Sequence, residues 1–337
     1  MSRIAVYVGL DYHQHSVQVC IMDREGELLF NRRCANEADA IVALVTGYGE
    51  VRGVAIESCC GAADLAEQLI QQAGWVVDLA HPGFVSRMKQ SPDKHDWGDA
   101  RLLADLERIG YLPRVWLAPE EVRELRRLVR YRQQIVDERR NIKLRISALL
   151  REQRQVKPPA NPWTRRWLTW LRHEVVLSEQ GRWIVDRHLN KMLNVLDELQ
   201  EVEMRLHQLT VHDPLVRQLS LLKGVGSVTA WTIRAEIGRF DRFRTGKQLS
   251  RFCGVSPRNA SSGERQADAG LIKAGNSRLR AVLIESAHRL RRYDARWRDL
   301  SDRMEARGKS RCVVVAAIAN RWVRWLFHQM QPDQLAA

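Results

Sequence analysis

A polar stretch between two helical segments, residues 250–280, holds a tandem pair of hydroxyl side chains, Ser261 and Ser262, followed by Gly263. Basic side chains flank the pair: Arg258, Arg265, Lys273, Arg278 and Arg280. A serine in a glycine-containing turn among guanidinium groups is the environment expected of a hydroxyl that meets a phosphate. The alternative is a solvated loop whose serines only cap turns. On the loop alone the solvated reading is favoured, because short motifs are weak evidence.

A set of acidic residues lies at the ends of predicted strands and helices. Asp11 closes one apolar strand-like run and Glu57 closes another. Asp96 and Asp99 open a predicted helix and share one of its faces, because they are three residues apart. Singly, each could be a surface acid or a helix N-terminal acid favoured by the macrodipole. Together at one sheet edge they would repel one another unless cations neutralised them, and their oxygen ligands suit Mg²⁺ or Mn²⁺.

The elements that must position these acids follow a recognisable order. Alternating and apolar runs predict three strands, then helix, strand, helix, strand and helix, which is the order of a ribonuclease-H-like α/β fold. The predicted strands are 4–10, 16–22, 27–30, 52–56 and 75–79, and the predicted helices are 37–46, 62–72 and 96–109, with a loop at 81–95. The strand ends of such sheets build sites, and two metal ions there can activate a nucleophile and stabilise a leaving oxygen. An actin-like or sugar-kinase ATPase is disfavoured because residues 12–15, Tyr-His-Gln-His, lack the glycine that cradles phosphate.

Composition restricts the partners. The chain of 337 residues carries a formal net charge of +14, which favours a polyanion, with nucleic acid ahead of a membrane surface. We find no apolar run of transmembrane length and no signal peptide. The six cysteines form no CxxC pair and no disulfide-rich spacing, so we expect a reduced, cytoplasmic location with the protein at the nucleoid.

The rest of the chain is predicted to be mainly helical. Long helices at 120–153 and 179–209 carry apolar stripes and should pack as an antiparallel coiled-coil spacer over residues 113–212, between an N-terminal domain at 1–112 and a C-terminal domain at 213–337. Trp163, Trp167 and Trp170 lie between these helices, where packing is favoured over base stacking. The segment Lys223-Gly224-Val225-Gly226 resembles the turn of a helix-hairpin-helix, whose amides approach a phosphate, although an ordinary packing turn fits equally well.

These motifs together carry a family resemblance. They are Asp11, Glu57, Asp96-Trp97-Gly98-Asp99, Lys223-Gly224-Val225-Gly226, Cys253-Gly254-Val255-Ser256-Pro257, Ser261-Ser262-Gly263, Lys273-Ala274-Gly275-Asn276 and Leu279-Arg280. In this order, around a helical spacer, they resemble the insertion-sequence one-ten transposases, which are related to the Piv and MooV invertases. The resemblance covers nearly the whole chain.

The resemblance implies an N-terminal RuvC-like domain and a C-terminal transposase domain with a nucleophilic serine. The catalytic and metal-binding acids would be Asp11, Glu57, Asp96 and Asp99. Spacing from Pro257-Arg258 places the nucleophile at Ser261. Ser262 and Glu264 stand where the family commonly has Thr and Gly, so the choice between the two serines stays open. The nucleic-acid-binding residues would be Lys223, Gly224, Gly226, Arg258, Arg265, Lys273, Arg278 and Arg280.

The family also implies the partners: donor DNA, target DNA and a bridge RNA that pairs with both. A homodimer would assemble into a tetramer in which acids and serine from different subunits meet. We therefore expect a Mg²⁺- or Mn²⁺-dependent serine recombinase of an insertion sequence. One alternative is a RuvC-like nuclease that hydrolyses branched DNA and does not need Ser261. The other is a basic scaffold that binds nucleic acid and tolerates loss of all four acids.

Overall fold

A computed structural model of the protein describes residues 4–89, 95–155, 160–259, 268–272 and 274–331. The chain divides into two compact units, Met1–Pro119 and Glu120–Ala337. The first is built on a sheet and the second is mainly helical, so the predicted α/β-plus-α class is confirmed at that level. Among the described residues, no helix has the length and apolar character that crossing a membrane requires.

The first unit is a six-stranded sheet of order β3-β2-β1-β4-β5-β6 with four helices. Its elements are β1 Ala5–Tyr12, β2 Ser16–Asp23, β3 Leu28–Ala35, α1 Ala38–Thr46, β4 Glu50–Glu57, α2 Ala62–Ala73, β5 Val77–Ala80, α3 Pro82–Met88, α4 Asp96–Arg108 and β6 Arg114–Val115. Strand β1 is antiparallel to β2 and parallel to β4, with Leu10 opposite Ile56. Asp11 and Glu57 are the next residues on these parallel strands, so they lie at the same edge of the sheet.

A glycine at the centre of β1 lets α4 lie directly on the sheet. A methyl group at Gly9 would lie 2.0 Å from the carbonyl oxygen of Ala100 and 2.5 Å from the amide nitrogen of Ala104. No side chain fits in that space, whereas the other face of β1 buries Val8 and Leu10 completely. The close approach of α4 brings the acids at its N-terminus towards the end of β1.

Two predictions for this unit were wrong in detail. Residues 81–95, predicted to be a loop, contain α3, which begins with Pro82 at its first turn and with the amide of Gly83 donating to His81 Nδ1 at 3.1 Å. Proline is favoured at that position because its missing N–H would be unpaired there anyway. The short strand β6 was not predicted. It consists of two residues, and its antiparallel pairing with β5 defines it.

The second unit contains nine helices, one π-helical turn and a two-stranded sheet among its described residues. Its elements are α5 Glu120–Glu152, α6 Arg165–Thr169, the π-helical turn Trp170–Glu174, α7 Glu179–Thr210, α8 Pro214–Ser220, α9 Ser227–Ile237, α10 Gly246–Phe252, β7 Pro257–Asn259, β8 Asp268–Leu271, α11 Ser277–Tyr293, α12 Ala295–Glu305 and α13 Arg311–Gln329. One cluster of buried apolar side chains runs through these helices.

Helices α5 and α7 pack against each other in opposite directions. Arg132 pairs with Glu203 at 2.6 Å, and Lys191 pairs with Glu138 at 2.7 Å, so rising positions on α5 meet falling positions on α7. Trp167 is buried beside them, which confirms its packing role. Supercoiling of the pair, and the division of the chain at residues 112 and 212, stay predictions.

The polar stretch 250–280 is more structured than predicted. Strands β7 and β8 pair antiparallel inside it, with Pro257 opposite Leu271. Ser261, Ser262, Arg265 and Lys273 lie outside the described residues. Helix α12 was also absent from the prediction. Its mean hydropathy is low and its apolar residues are few, so the sequence gives little periodic signal there.

Candidate active site

Three side chains converge where β1 ends. The Nε2 atom of His13 lies 3.4 Å from Asp11 Oδ2 and 3.3 Å from Asp96 Oδ2. One ligand atom from each of these residues lies within 4.8 Å of the others. The amide of His13 donates to Ser16 O at 3.0 Å, which fixes the tight connection from β1 to β2. The sheet therefore supplies two of the three groups, and the N-terminus of α4 supplies the third.

Basic side chains form ion pairs with the two acids at the N-terminus of α4. Arg33, on β3, donates to Asp96 Oδ2 at 2.7 Å. Lys89 Nζ lies 2.7 Å from both carboxylate oxygens of Asp99, which is only 6 % exposed. The ammonium group of Lys89 offsets part of the cost of burying the Asp99 carboxylate.

The four predicted acids act on one another electrostatically. Burial raises the pKa of Asp11; His13 lowers it, and the charges of Asp99, Asp96 and Glu57 raise it further, so the pKa lies above its ordinary value. The fold therefore holds Asp11 in a position where its negative charge is disfavoured. Like charges kept this close in the folded state are typical of sites that bind a cation.

His13 is a site residue that the sequence analysis missed. It was considered only as bulk in a segment that lacks glycine. A usable signal was present, because residues two apart at the end of a strand project to the same face of the sheet. His13 is two residues beyond Asp11, so its imidazole is expected on the same face of the sheet as the Asp11 carboxylate.

The base of the β7–β8 hairpin depends on two glycines in close contact. A methyl group at Gly275 would lie 2.3 Å from the Cα atom of Gly254, whose own φ is +70°. Arg280, on α11, donates to the carbonyl oxygens of Gly254 and Ile272 at 3.4 and 3.3 Å. The guanidinium of Arg280 thus holds the hairpin base, whereas Arg258 and Arg278 are exposed.

Two bonded hydroxyl groups, those of Ser250 and Ser256, support the same hairpin. Ser250 is 0 % exposed, lies 2.8 Å from the hydroxyl of Ser256 and accepts from Asn320 of α13 at 2.6 Å. Asn276 accepts from the amides of Arg278 and Leu279 and so caps α11. The described motifs on both sides of Ser261 and Ser262 thus have structural roles.

The glycine turn between α8 and α9 has a packing role. Lys223 is exposed, and Gly224 adopts a φ of +79°. A methyl group at Gly224 would lie 3.0 Å from Leu290 Cγ of α11. Gly226 directly precedes the N-terminus of α9. Phosphate contact by this turn stays a prediction.

Comparison with known families adds to this geometry. A family model described as a transposase of DEDD type matches residues 8–154, which include all four acids. A second, described as "Transposase IS116/IS110/IS902 family", matches residues 216–302, which include Gly224, Gly254, Ser261 and Gly275. The chain belongs to this transposase family. It is therefore an enzyme that acts on DNA.

Named relatives of this transposase cover much of its length. The IS1111A transposase of Coxiella burnetii is 24 % identical over 94 % of this chain and 88 % of its own length. A Pseudomonas aeruginosa protein, classed by its name with the family 20 transposases, is 28 % identical over 95 % of both chains. The y4qE protein of Sinorhizobium fredii, a transposase by name, is 30 % identical over 65 % of this chain, a match that spans 54 % of its own length.

The residues present in this transposase fit a divalent cation. Asp11 Oδ2 and His13 Nε2 are buried and have no hydrogen-bond partner among the described residues. Unpaired buried polar atoms are costly, and a metal ion would satisfy both of these together with Asp96. The DEDD-type domain likewise indicates the use of a divalent metal.

Proposed function

We propose that this transposase is a Mg²⁺- or Mn²⁺-dependent serine recombinase that cuts and rejoins the DNA of an insertion sequence. The observation that carries the proposal is the convergence of Asp11, His13 and Asp96 within 4.8 Å, beside the buried carboxylate of Asp99. Acid sets of this kind suit phosphodiester chemistry.

Asp11, Glu57, Asp96 and Asp99 are proposed to hold the metal, with His13 as a further ligand. When bound, the metal would supply positive charge that polarises the scissile phosphate and favours the deprotonated nucleophile. The protein's own groups prepare the site. Burial and the neighbouring acids keep the pKa of Asp11 raised although His13 lowers it, and a bound cation would favour the charged carboxylate.

Ser261 is proposed as the nucleophile, with Ser262 as the alternative. The serine oxygen would form a bond to phosphorus while the bond from phosphorus to a deoxyribose oxygen breaks. That oxygen leaves as a hydroxyl, with a proton in place of the one that serine gives up. One phosphodiester replaces another, so the hydroxyl of a second strand can reverse the exchange and rejoin DNA without ATP. The constrained hairpin base, where Gly254 meets Gly275, supports this assignment because it fixes both ends of the serine-bearing segment.

The partners follow from the family and from charge. We propose donor DNA, target DNA and a bridge RNA as ligands, which a net charge of +14 would favour. The turn with Lys223, Gly224 and Gly226 would contact DNA as a helix-hairpin-helix. Further contacts would come from Arg258, Arg265, Lys273, Arg278 and Arg280. Dimers would form a tetramer at the nucleoid, in which acids and serine from different subunits meet.

The test is a covalent protein–DNA adduct on a denaturing gel. Full-length protein is incubated with Mg²⁺, matched donor and target DNA and RNA transcribed from the flanks of its gene. Asp11→Asn and Ser261→Ala should abolish the adduct, and Ser262→Ala should keep it. Omission of the RNA should also abolish it.

Other outcomes would assign a different chemistry. An adduct lost only in Ser262→Ala would move the nucleophile by one residue. Cleavage without any adduct, unchanged in Ser261→Ala but lost in Asp11→Asn, would identify a hydrolytic RuvC-like nuclease. It would refute the serine mechanism while leaving the metal site intact.

A further inference from the structure

A basic groove lies between α12 and α13, and none of its lining residues belongs to the acid set or to the motifs around the serine pair. It has a volume of about 800 Å³, within the roughly 300–1,000 Å³ typical of ligand sites. On α12 its lining residues recur at three- and four-residue steps from Arg296 to Met304, and on α13 they recur in the same way from Arg321 to His328. One face of each helix therefore builds the groove.

The rim of the groove is cationic. Its charged lining residues are Arg296, Arg303, Arg307, Lys309, Arg321 and Arg324. The described lining contains no carboxylate. None of these six cations pairs with an acid in the part of the chain that the structure describes, whereas Glu305 of α12 is taken by Arg291 at 2.6 Å. Six like charges around one groove repel one another, and an anionic ligand would relieve that repulsion.

The floor of the groove is apolar and partly aromatic. Trp297 is buried beneath it, Leu300 and Met304 lie beside it, and Trp325 is half-buried on its α13 wall. A duplex presents phosphates to such a surface but keeps its bases stacked away from the floor. An unpaired strand can place a base on an indole while its phosphates meet the rim.

We propose that this groove, formed by α12 and α13, binds a single-stranded polynucleotide segment through phosphate contacts at Arg321 and Arg324 and base stacking on Trp325. Eight of the eleven lining residues lie beyond residue 302, where the family match ends. The inference uses the transposase assignment only to choose nucleic acid as the anionic partner. It does not depend on the metal site or on the serine mechanism. DNA and RNA share this chemistry, so the experiment must separate them.

The test measures binding of full-length protein by fluorescence anisotropy in EDTA. The probes are a short fluorescein-labelled RNA of mixed sequence, the DNA strand of the same sequence, and the blunt duplex of that DNA. The paired variant Arg321→Gln/Arg324→Gln removes two rim charges. Arg140→Gln/Arg145→Gln removes two exposed charges from α5 that pair with no described acid, and it serves as the matched control.

The rim variant should lower the slope of log affinity against log salt by about 1.4 for a single strand, because each phosphate contact contributes about 0.7. The α5 control should leave the slope unchanged. Trp325→Leu, which keeps apolar volume but removes the aromatic face, should weaken single-strand binding by about 5- to 150-fold, and Trp325→Phe should largely restore it. Thermal melting confirms that each variant is folded.

The RNA and DNA arms show which strand the groove prefers. If the rim variant and the α5 control behave alike on every probe, the groove is not a nucleic-acid site. If Trp325→Leu weakens duplex and single strand equally, the claim of unpaired bases is wrong. The measurement in EDTA detects binding and not the covalent adduct, so failure of the catalytic proposal and failure of this one give different results.

Discussion

The buried carboxylate of Glu236, in the helical unit, allows a test of the packing that supports the β7–β8 hairpin. Glu236, on α9, is 3 % exposed. Arg130 of α5 donates to both of its oxygens, at 2.9 and 3.1 Å, and Asn276 donates to Oε2 at 2.9 Å. Arg126 lies 3.9 Å from the same oxygen. Because Asn276 also caps α11, one carboxylate connects three helices at the base of the hairpin.

Glu236→Gln keeps the shape of the side chain and removes its charge. Two charge-assisted bonds from Arg130 become weaker or are lost, at about 1 kcal/mol each, and an amide N–H must face one of the donors around it, at about 1 kcal/mol more. Arg130 is 43 % exposed on its side chain and can regain water, which keeps the total near the lower end for a broken buried pair. We expect a loss of about 3 kcal/mol in the free energy of unfolding, or about 6–12 °C in the melting temperature of a unit of this size.

The effect should depend on pH in one direction. Burial raises the pKa of Glu236, but the hydrogen bond and charge of Arg130, the bond from Asn276 and the charge of Arg126 outweigh it, so the pKa of the folded state is lowered. The contribution to stability is therefore full above the unfolded pKa of about 4.3 and is lost as the pH falls towards the folded pKa. The difference between wild type and Glu236→Gln should shrink in that acidic range.

Differential scanning calorimetry of the full chain measures both effects. Exposed Glu285, on α11, gives the control Glu285→Gln, which should change stability by no more than about 0.5 kcal/mol. If Glu236→Gln melts like the control at neutral pH, the network does not stabilise the hairpin base. A difference that stays constant into the acidic range would refute the lowered pKa.

Three further substitutions test the site and its supports. Gly9→Ala should displace α4, because its methyl group would meet the carbonyl of Ala100; the melting temperature and the rise in melting temperature caused by Mg²⁺ should both fall. Lys89→Met leaves Asp99 buried without its cation, so we expect about 3–5 kcal/mol lower stability in EDTA and a larger Mg²⁺-induced rise than in wild type. Ser250→Ala removes a fully buried hydroxyl that bonds on two sides and should cost about 1–3 kcal/mol in urea unfolding, with unchanged Mg²⁺ response.

Most of the sheet could be predicted because its strands begin as apolar or alternating runs and end at a turn or an acid. The prediction stopped β3 at residue 30, whereas the strand continues to Ala35 through polar residues that give little apolar signal. The strand order of the predicted fold then placed Asp11 and Glu57 at one edge. The short β6 could not be predicted, because only its pairing with β5 makes it a strand. Helix α3 was missed because Pro82-Gly83 suggests a loop unless the proline is recognised as a helix-initiating residue.

Polar pairs between residues that are far apart in the sequence could not be predicted. Glu236 lies in an ordinary helical segment, Ala-Glu-Ile, and nothing in its neighbourhood points to Arg130 or Asn276. A hydrophobic pattern identifies which face of a helix is buried but not which charges meet inside the core. His13 is a different case: the sequence analysis missed it, although its position two residues after Asp11 was a usable signal for placing it at the site.

The cations of the acid site explain how the fold tolerates four carboxylates close together. Arg33 neutralises Asp96, and Lys89 neutralises Asp99, at 2.7 Å each. Asp11 instead faces His13, at 3.4 Å, and is the acid whose pKa is raised. Because two of the acids already have internal partners, less repulsion between carboxylates is left for a metal to neutralise. A metal that binds at Asp11 must then compete with Arg33 for Asp96, so Arg33→Met should tighten Mg²⁺ binding even as it lowers stability in EDTA.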